Sequence, residues 1–122
     1  LTNDIDPNTE ATHHTDALEF LETIGDGIAD CVIFDPPFSS RQAQEKYESG
    51  HINVYTDPGY VKKCMTEIVR MLKPGGTLIK LGFNSTRHHP SLKMTHLYVL
   101  NSGGNHNDIL CSIWTLGQER LT

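Results

Sequence analysis

Apolar residues along this chain recur in two rhythms. Leu18, Leu21 and Ile24 return at helical spacing, and Asp16 with Glu19 three residues later has the form of a capping box, so a short helix is predicted to start there. Val61, Cys64, Met65, Ile68 and Leu72 repeat that rhythm over a longer stretch. Asp57-Pro58 supplies an N-cap and a first-turn proline for it, and Lys73-Pro74-Gly75-Gly76 supplies its stop. The second rhythm is that of strands. Continuous or alternating apolar runs occur at 31–34, 77–83, 94–100 and 109–116. The last two are joined by the turn-rich Asn101-Ser102-Gly103-Gly104-Asn105-His106-Asn107, which predicts an antiparallel hairpin. Two short extended pieces come before the first helix, one ending at Asp4-Ile5-Asp6-Pro7 and one at Thr12-His13-His14-Thr15. Gly25-Asp26-Gly27 turns the chain from that helix into the central strand, and 86–93 reads as a loop or a poor helix.

This alternation predicts an α/β fold with an open, mostly parallel sheet closed by a C-terminal antiparallel hairpin. The polar residues that end the successive extended segments are Asp4, Asp16, Asp35 and Asn84. In an open parallel sheet such ends share one edge, and ligands bind in the crevice there. The most informative stretch reads Ala-Asp-Cys-Val-Ile-Phe-Asp-Pro-Pro-Phe over 29–38. It predicts a buried strand that delivers Asp35 to the sheet edge. Pro36 and Pro37 fix their own φ and have no N–H, which leaves carbonyls available to outside donors, and Phe38 adds an aromatic face. A carboxylate, a free carbonyl and an aromatic face are what is needed to hold a flipped base by its exocyclic amino group.

Asp35-Pro36-Pro37-Phe38 resembles the Asp/Asn-Pro-Pro-aromatic signature of nucleic-acid amino-methyltransferases. The longer segment through Ser39-Ser40-Arg41-Gln42, with His106-Asn107-Asp108 near the end, resembles the small phage-associated DNA adenine methylases. That resemblance implies a class I, Rossmann-like methyltransferase sheet, S-adenosylmethionine as cofactor and DNA as partner, with adenine N6 as the methyl acceptor. It implies catalytic roles for Asp35, Pro36, Pro37 and Phe38. It also implies cofactor contacts from Asp4 to the ribose hydroxyls and from Asp16 and Ala17 to the adenine, with Asn84 on the same edge, and DNA contacts from Arg41 and Gln42. Tyr47 and Tyr55 are further candidates for stacking, and the polar 39–50 connection, which holds Tyr47, reads as a helical lid over the target base or as an ordinary solvated connection.

The resemblance is to the latter part of that family. A strand, a glycine-containing turn and a helix that would cradle the methionine part of the cofactor have no counterpart here, since the close glycine pairs 25/27, 75/76 and 103/104 fall in turns. The chain is therefore expected to lack the first strand, to be a fragment of a longer protein, and to leave a slot in its sheet. A partner segment or a second copy would fill that slot.

Composition narrows the picture further. The 122 residues suffice for one catalytic domain with a single core. The net charge is −5 and the sequence has no cluster of Lys and Arg for phosphate neutralisation, so any DNA-gripping surface is small or lies elsewhere. Cys31, Cys64 and Cys111 lie in apolar surroundings and read as reduced core residues of a cytoplasmic protein, and no run is long enough to span a bilayer. His13-His14 and His88-His89 are adjacent pairs, whose side chains diverge on a strand, so no metal is expected. The competing readings are cytosine N4 in place of adenine N6, since both bases present an amino group to the same acceptors, a non-catalytic or partner-dependent subunit of the same fold, and methylation of RNA or of a protein glutamine.

Overall fold

Asp16 starts the first helix by donating nothing and accepting much. In the computed structural model, which describes residues 1–36, 59–101, 103 and 108–118, its carboxylate accepts from the N–H groups of Leu18 and Glu19 and caps α1 (Ala17–Glu22). Only the Asp16 half of the predicted capping box is formed among the described residues. The longer helix, α2 (Tyr60–Met71), buries Tyr60, Cys64, Met65, Ile68 and Val69 on one face. Ile68 is fully buried, and withdrawing such a side chain from water contributes about 1.5–3 kcal/mol. Gly59 is its N-cap and makes no side-chain bond. The expected Asp57-Pro58 start falls outside the described residues.

Among the described residues four strands form the sheet: β1 (Ala29–Phe34), β2 (Leu72–Gly82), β3 (Leu92–Leu100) and β4 (Ile109–Leu116), in the order β1-β2-β4-β3. β1 and β2 are parallel, while β4 is antiparallel to both β2 and β3. The predicted C-terminal hairpin is therefore present, with its second strand inserted next to β2. Phe34, Leu78, Trp114 and Leu116 from one sheet face join Leu21 of α1 and the buried face of α2 in a single core.

Several expectations change in detail. α2 ends at Met71 and the chain passes directly into β2, so Lys73-Pro74-Gly75-Gly76 is a strand irregularity and not a helix cap. Ala29 pairs with Leu72 and Cys31 with Thr77, so two residues of advance on β1 match five on β2. Pro74 cannot donate to the ladder and Gly75 takes φ +80°, which only glycine adopts without strain. At Gly76 a Cβ would stand 2.8 Å from the Lys73 carbonyl oxygen.

The buried character expected for β1 is only half realised. Phe34 is 7% exposed but Ile33 is 67% exposed, and Cys31 is exposed rather than in the core. Helices cover the face that holds Phe34 and leave the other open. The N-terminal extended pieces do not join the sheet. They meet each other through a parallel bridge between Asn3 and His13 and through Thr2–Thr12 and Asn3–Thr15 hydrogen bonds, and β1 is an edge strand among the described strands.

Arg70 locks the helices to the turn between them. Its guanidinium meets Asp26 Oδ1 and Glu67 Oε2, each at 2.6 Å, and donates to the Leu21 carbonyl at 3.0 Å. Gly27 and Ile28 donate backbone N–H groups to the carbonyls of Arg70 and Met71. The turn before β1 is thus tied to the end of α2, which fixes where β1 begins.

Candidate active site

Between the N-terminal extended pieces and β1 lies a cavity of about 800 Å³, within the usual range for small-molecule sites. Asp4, Asp16, Ala17, Asp35 and Pro36 all line it. Five of the residues singled out from the sequence, drawn from three separate stretches, therefore meet at one concavity. Asn84 does not line it. β2 ends at Gly82, and Asn84 sits two residues past that end, bonded to Lys80 and to the Thr86 N–H. Pro37, Phe38, Arg41, Gln42, Tyr47 and Tyr55 lie outside the described residues.

Asp4 is held by local hydrogen bonds. Its N–H donates to the His13 carbonyl at 3.0 Å, and its Oδ1 accepts from the Asp6 N–H at 2.9 Å. His14 Nδ1 lies 3.1 Å from the Asp4 carbonyl and 3.0 Å from that of Asp6, so it carries the proton and donates to them. Asp4 Oδ2 is left with no partner among the described residues.

Asp16 is more heavily used. Oδ2 takes the Leu18 and Glu19 N–H groups, and Oδ1 accepts from the Tyr60 hydroxyl at 2.6 Å. The Tyr60 oxygen in turn accepts from the Leu18 N–H at 3.2 Å. A carboxylate offers about four acceptor positions. These three bonds leave Asp16 one for a ligand. Burial and then the bond to Asp16 raise the Tyr60 pKa above that of a free phenol, so it remains a donor at any ordinary pH. Cys64, one turn on, is pushed up to about 12, first by burial and next by the Asp16 charge, and is an inert packing thiol.

Tyr60 is the residue of this site that its sequence pattern conceals. It stands just before the apolar series read from Val61 onward, and nothing local points to a partner 44 residues away. Asp35 follows buried Phe34 directly and is itself exposed, as a strand-end carboxylate must be to meet a ligand. The Pro36 carbonyl has no partner among the described residues. Those residues contain no group of three or more His, Cys, Asp or Glu able to hold a metal ion. No described helix is long and apolar enough to cross a membrane.

No protein-family model matches the chain, and no curated protein sequence matches it. Solved structures do. TTHA0409 of Thermus thermophilus, named "Putative DNA Modification Methylase", superposes with TM-score 0.55 at 16% identity over 88% of this chain and 54% of its own. Its complex with S-adenosyl-L-methionine gives TM-score 0.55 at 15% identity, over 88% and 53%. The N-methyltransferase NodS of Bradyrhizobium japonicum WM9 gives TM-score 0.55 at 14% identity, over 94% of this chain and 71% of its own. The chain spans about half the length of TTHA0409. At these identities the likeness concerns the backbone, and its content is that this open mixed sheet with its flanking helices has the methyltransferase fold.

Proposed function

We propose that this chain is the catalytic part of an S-adenosylmethionine-dependent methyltransferase that modifies the exocyclic amino group of a DNA base, adenine N6. The observation that carries the reading is the convergence of Asp4, Asp16 and Asp35-Pro36 on one cavity. The fold shared with TTHA0409, a structure of which holds S-adenosyl-L-methionine, supports the choice of cofactor, and that protein's name supports DNA as the substrate.

The cofactor fits the donors and acceptors present. Asp4 has a carboxylate oxygen without a partner among the described residues, suited to ribose hydroxyls. The remaining acceptor position of Asp16 suits an adenine amino group, with Ala17 beside it on the same wall. When bound, S-adenosylmethionine supplies an electrophilic methyl group.

The chain's own residues then orient the acceptor nitrogen. Asp35 and the Pro36 carbonyl accept the two amino hydrogens, which draws the nitrogen out of conjugation and turns its lone pair outward. The resemblance assigns base stacking to Phe38 and DNA contacts to Arg41 and Gln42, which with Pro37 lie outside the described residues. No strong base is needed, because the amino proton becomes acidic only once the nitrogen is methylated. Orientation and exclusion of water supply most of the rate. Asp35→Ala is expected to abolish methylation of adenine-containing DNA while leaving S-adenosylhomocysteine affinity within about tenfold, roughly 1.4 kcal/mol. Joint loss of both in a folded variant would refute this division of labour.

A second reading, a partner-dependent subunit, is favoured by one observation. Among the described strands β1 is an edge strand that carries the exposed Ile33 and Cys31, and a strand from a second copy or from another segment would complete the sheet there.

A further inference from the structure

Lys80 is a buried lysine with no carboxylate partner among the described residues. It lies on β2 in register with Phe34 of β1 and Ser112 of β4, on the core face that also carries Leu78, and it is 5% exposed. Its Nζ donates to Asn84 Oδ1 at 3.3 Å and lies 3.1 Å from His88 Nε2. Asn84 Oδ1 also accepts from the Thr86 N–H at 3.1 Å.

These partners determine which way both side chains face. A backbone N–H can only donate, so the atom of Asn84 that meets Thr86 is its oxygen, and the amide nitrogen must lie on the other side. An ammonium likewise only donates, so His88 Nε2 is the acceptor and the imidazole proton sits on Nδ1. Asn84 Nδ2 and His88 Nδ1 have no partner among the described residues. Asn84 is exposed and His88 partly so. The assembly presents N–H groups outward, backed by a buried positive charge that nothing in the described protein neutralises.

We propose that Lys80, Asn84 and His88 form an anion subsite at the end of β2, where Lys80 pairs with the residue preceding Asp35, and that it takes a phosphate oxygen of the substrate strand. A neutral ring nitrogen would satisfy the same N–H groups but would leave the ammonium uncompensated, whereas a phosphate satisfies both. Burial lowers the pKa of Lys80, and burial followed by the Lys80 charge lowers that of His88, which keeps His88 neutral and in the accepting role near pH 7. The groups that face the pair from the neighbouring strands, Phe34 and Ser112, do not titrate. On the segment itself Arg87 and His89 add no negative charge. The subsite also explains how an acidic chain without a lysine cluster touches a polyanion. It deepens the reading above, from which the identity of the substrate strand is taken.

The test is a nitrogen-15 NMR titration of the 122-residue chain at pH 7.5 with inorganic phosphate, and separately with adenosine. Saturable shifts of the Asn84 side-chain amide and the His88 ring with phosphate, and not with adenosine, are expected. Lys80→Met, which keeps the chain length and buries well, and the surface variant Asn84→Asp should each weaken the response about tenfold. His88→Gln, whose amide can accept from Lys80 and donate outward, should retain it. No response, a response to adenosine alone, or an unchanged response in both weakened variants would overturn the subsite. Methyl transfer to DNA without any phosphate response removes the subsite and leaves the proposed reaction. A phosphate response in a chain that methylates no amino base removes the reaction and leaves the subsite.

Discussion

The 2.6 Å bond between Tyr60 and Asp16 joins the first residue of α2 to the cap of α1. It serves two ends at once. It supplies a donor to a carboxylate already committed to two backbone N–H groups, and it fixes the orientation in which the remaining acceptor position faces the cavity. Removing the hydroxyl leaves Asp16 with one partner fewer in a partly buried setting, and leaves the Leu18 N–H with the carboxylate alone. Tyr60→Phe is therefore expected to cost about 1–2 kcal/mol of stability in urea unfolding and to weaken S-adenosylhomocysteine binding as well. An unchanged midpoint would show that water replaces the hydroxyl without loss. Neither partner was legible to the other in the sequence. Asp16 could be read as a helix cap because capping is local, whereas Tyr60, one position before the apolar series that starts at Val61, carries no local signal of a partner 44 residues away.

At the scale of elements, what could be read was whatever depended on spacing. α2 was visible because four or five inward residues recur with the helical period, and β3 and β4 because β-branched and aromatic runs flank a glycine-rich link. Asp35 was visible because prolines end a strand abruptly. What depended on close approach between elements was hidden. The Lys-Pro-Gly-Gly step looked like a helix stop, yet it lies within β2 beside Ala29, where a Cβ on Gly76 would stand 2.8 Å from the Lys73 carbonyl oxygen and 3.3 Å from that of Ala29. Backbone oxygens cannot move aside as a flexible side chain can. Gly76→Ala is accordingly expected to destabilise the fold by roughly 1–3 kcal/mol with an unchanged dependence on urea concentration. A neutral result would mean that the β1–β2 irregularity shifts freely. The inward position of Lys80 did carry a signal, since it alternates in step with Leu78 along a strand, but its neutral partners arrive from a loop that periodicity does not describe.

The whole molecule is a sheet with an open side. β4 lies between β2 and β3, so the hairpin end of the sheet is well paired, while β1, the strand that Asp35 follows, is hydrogen-bonded among the described strands to β2 alone. The cavity occupies the space between β1 and the Asn3–His13 bridge. An exposed apolar edge recruits other strands unless a charge blocks it. Ile33 also lines that cavity, so on the partner-dependent reading, in which a strand takes this space in place of a cofactor, concentration-dependent association in sedimentation experiments is expected and Ile33→Lys should suppress it. Equal association of the two proteins would place any contact elsewhere.

The central claim is that the cavity bounded by Asp4, Asp16 and Asp35 holds S-adenosylmethionine, and calorimetric titration of the chain with S-adenosylhomocysteine tests it most directly. The account predicts saturable binding in the micromolar range that Asp4→Ala weakens about tenfold, as expected for loss of charged hydrogen bonds to the ribose. A chain that is folded by circular dichroism and takes up no S-adenosylhomocysteine would contradict it.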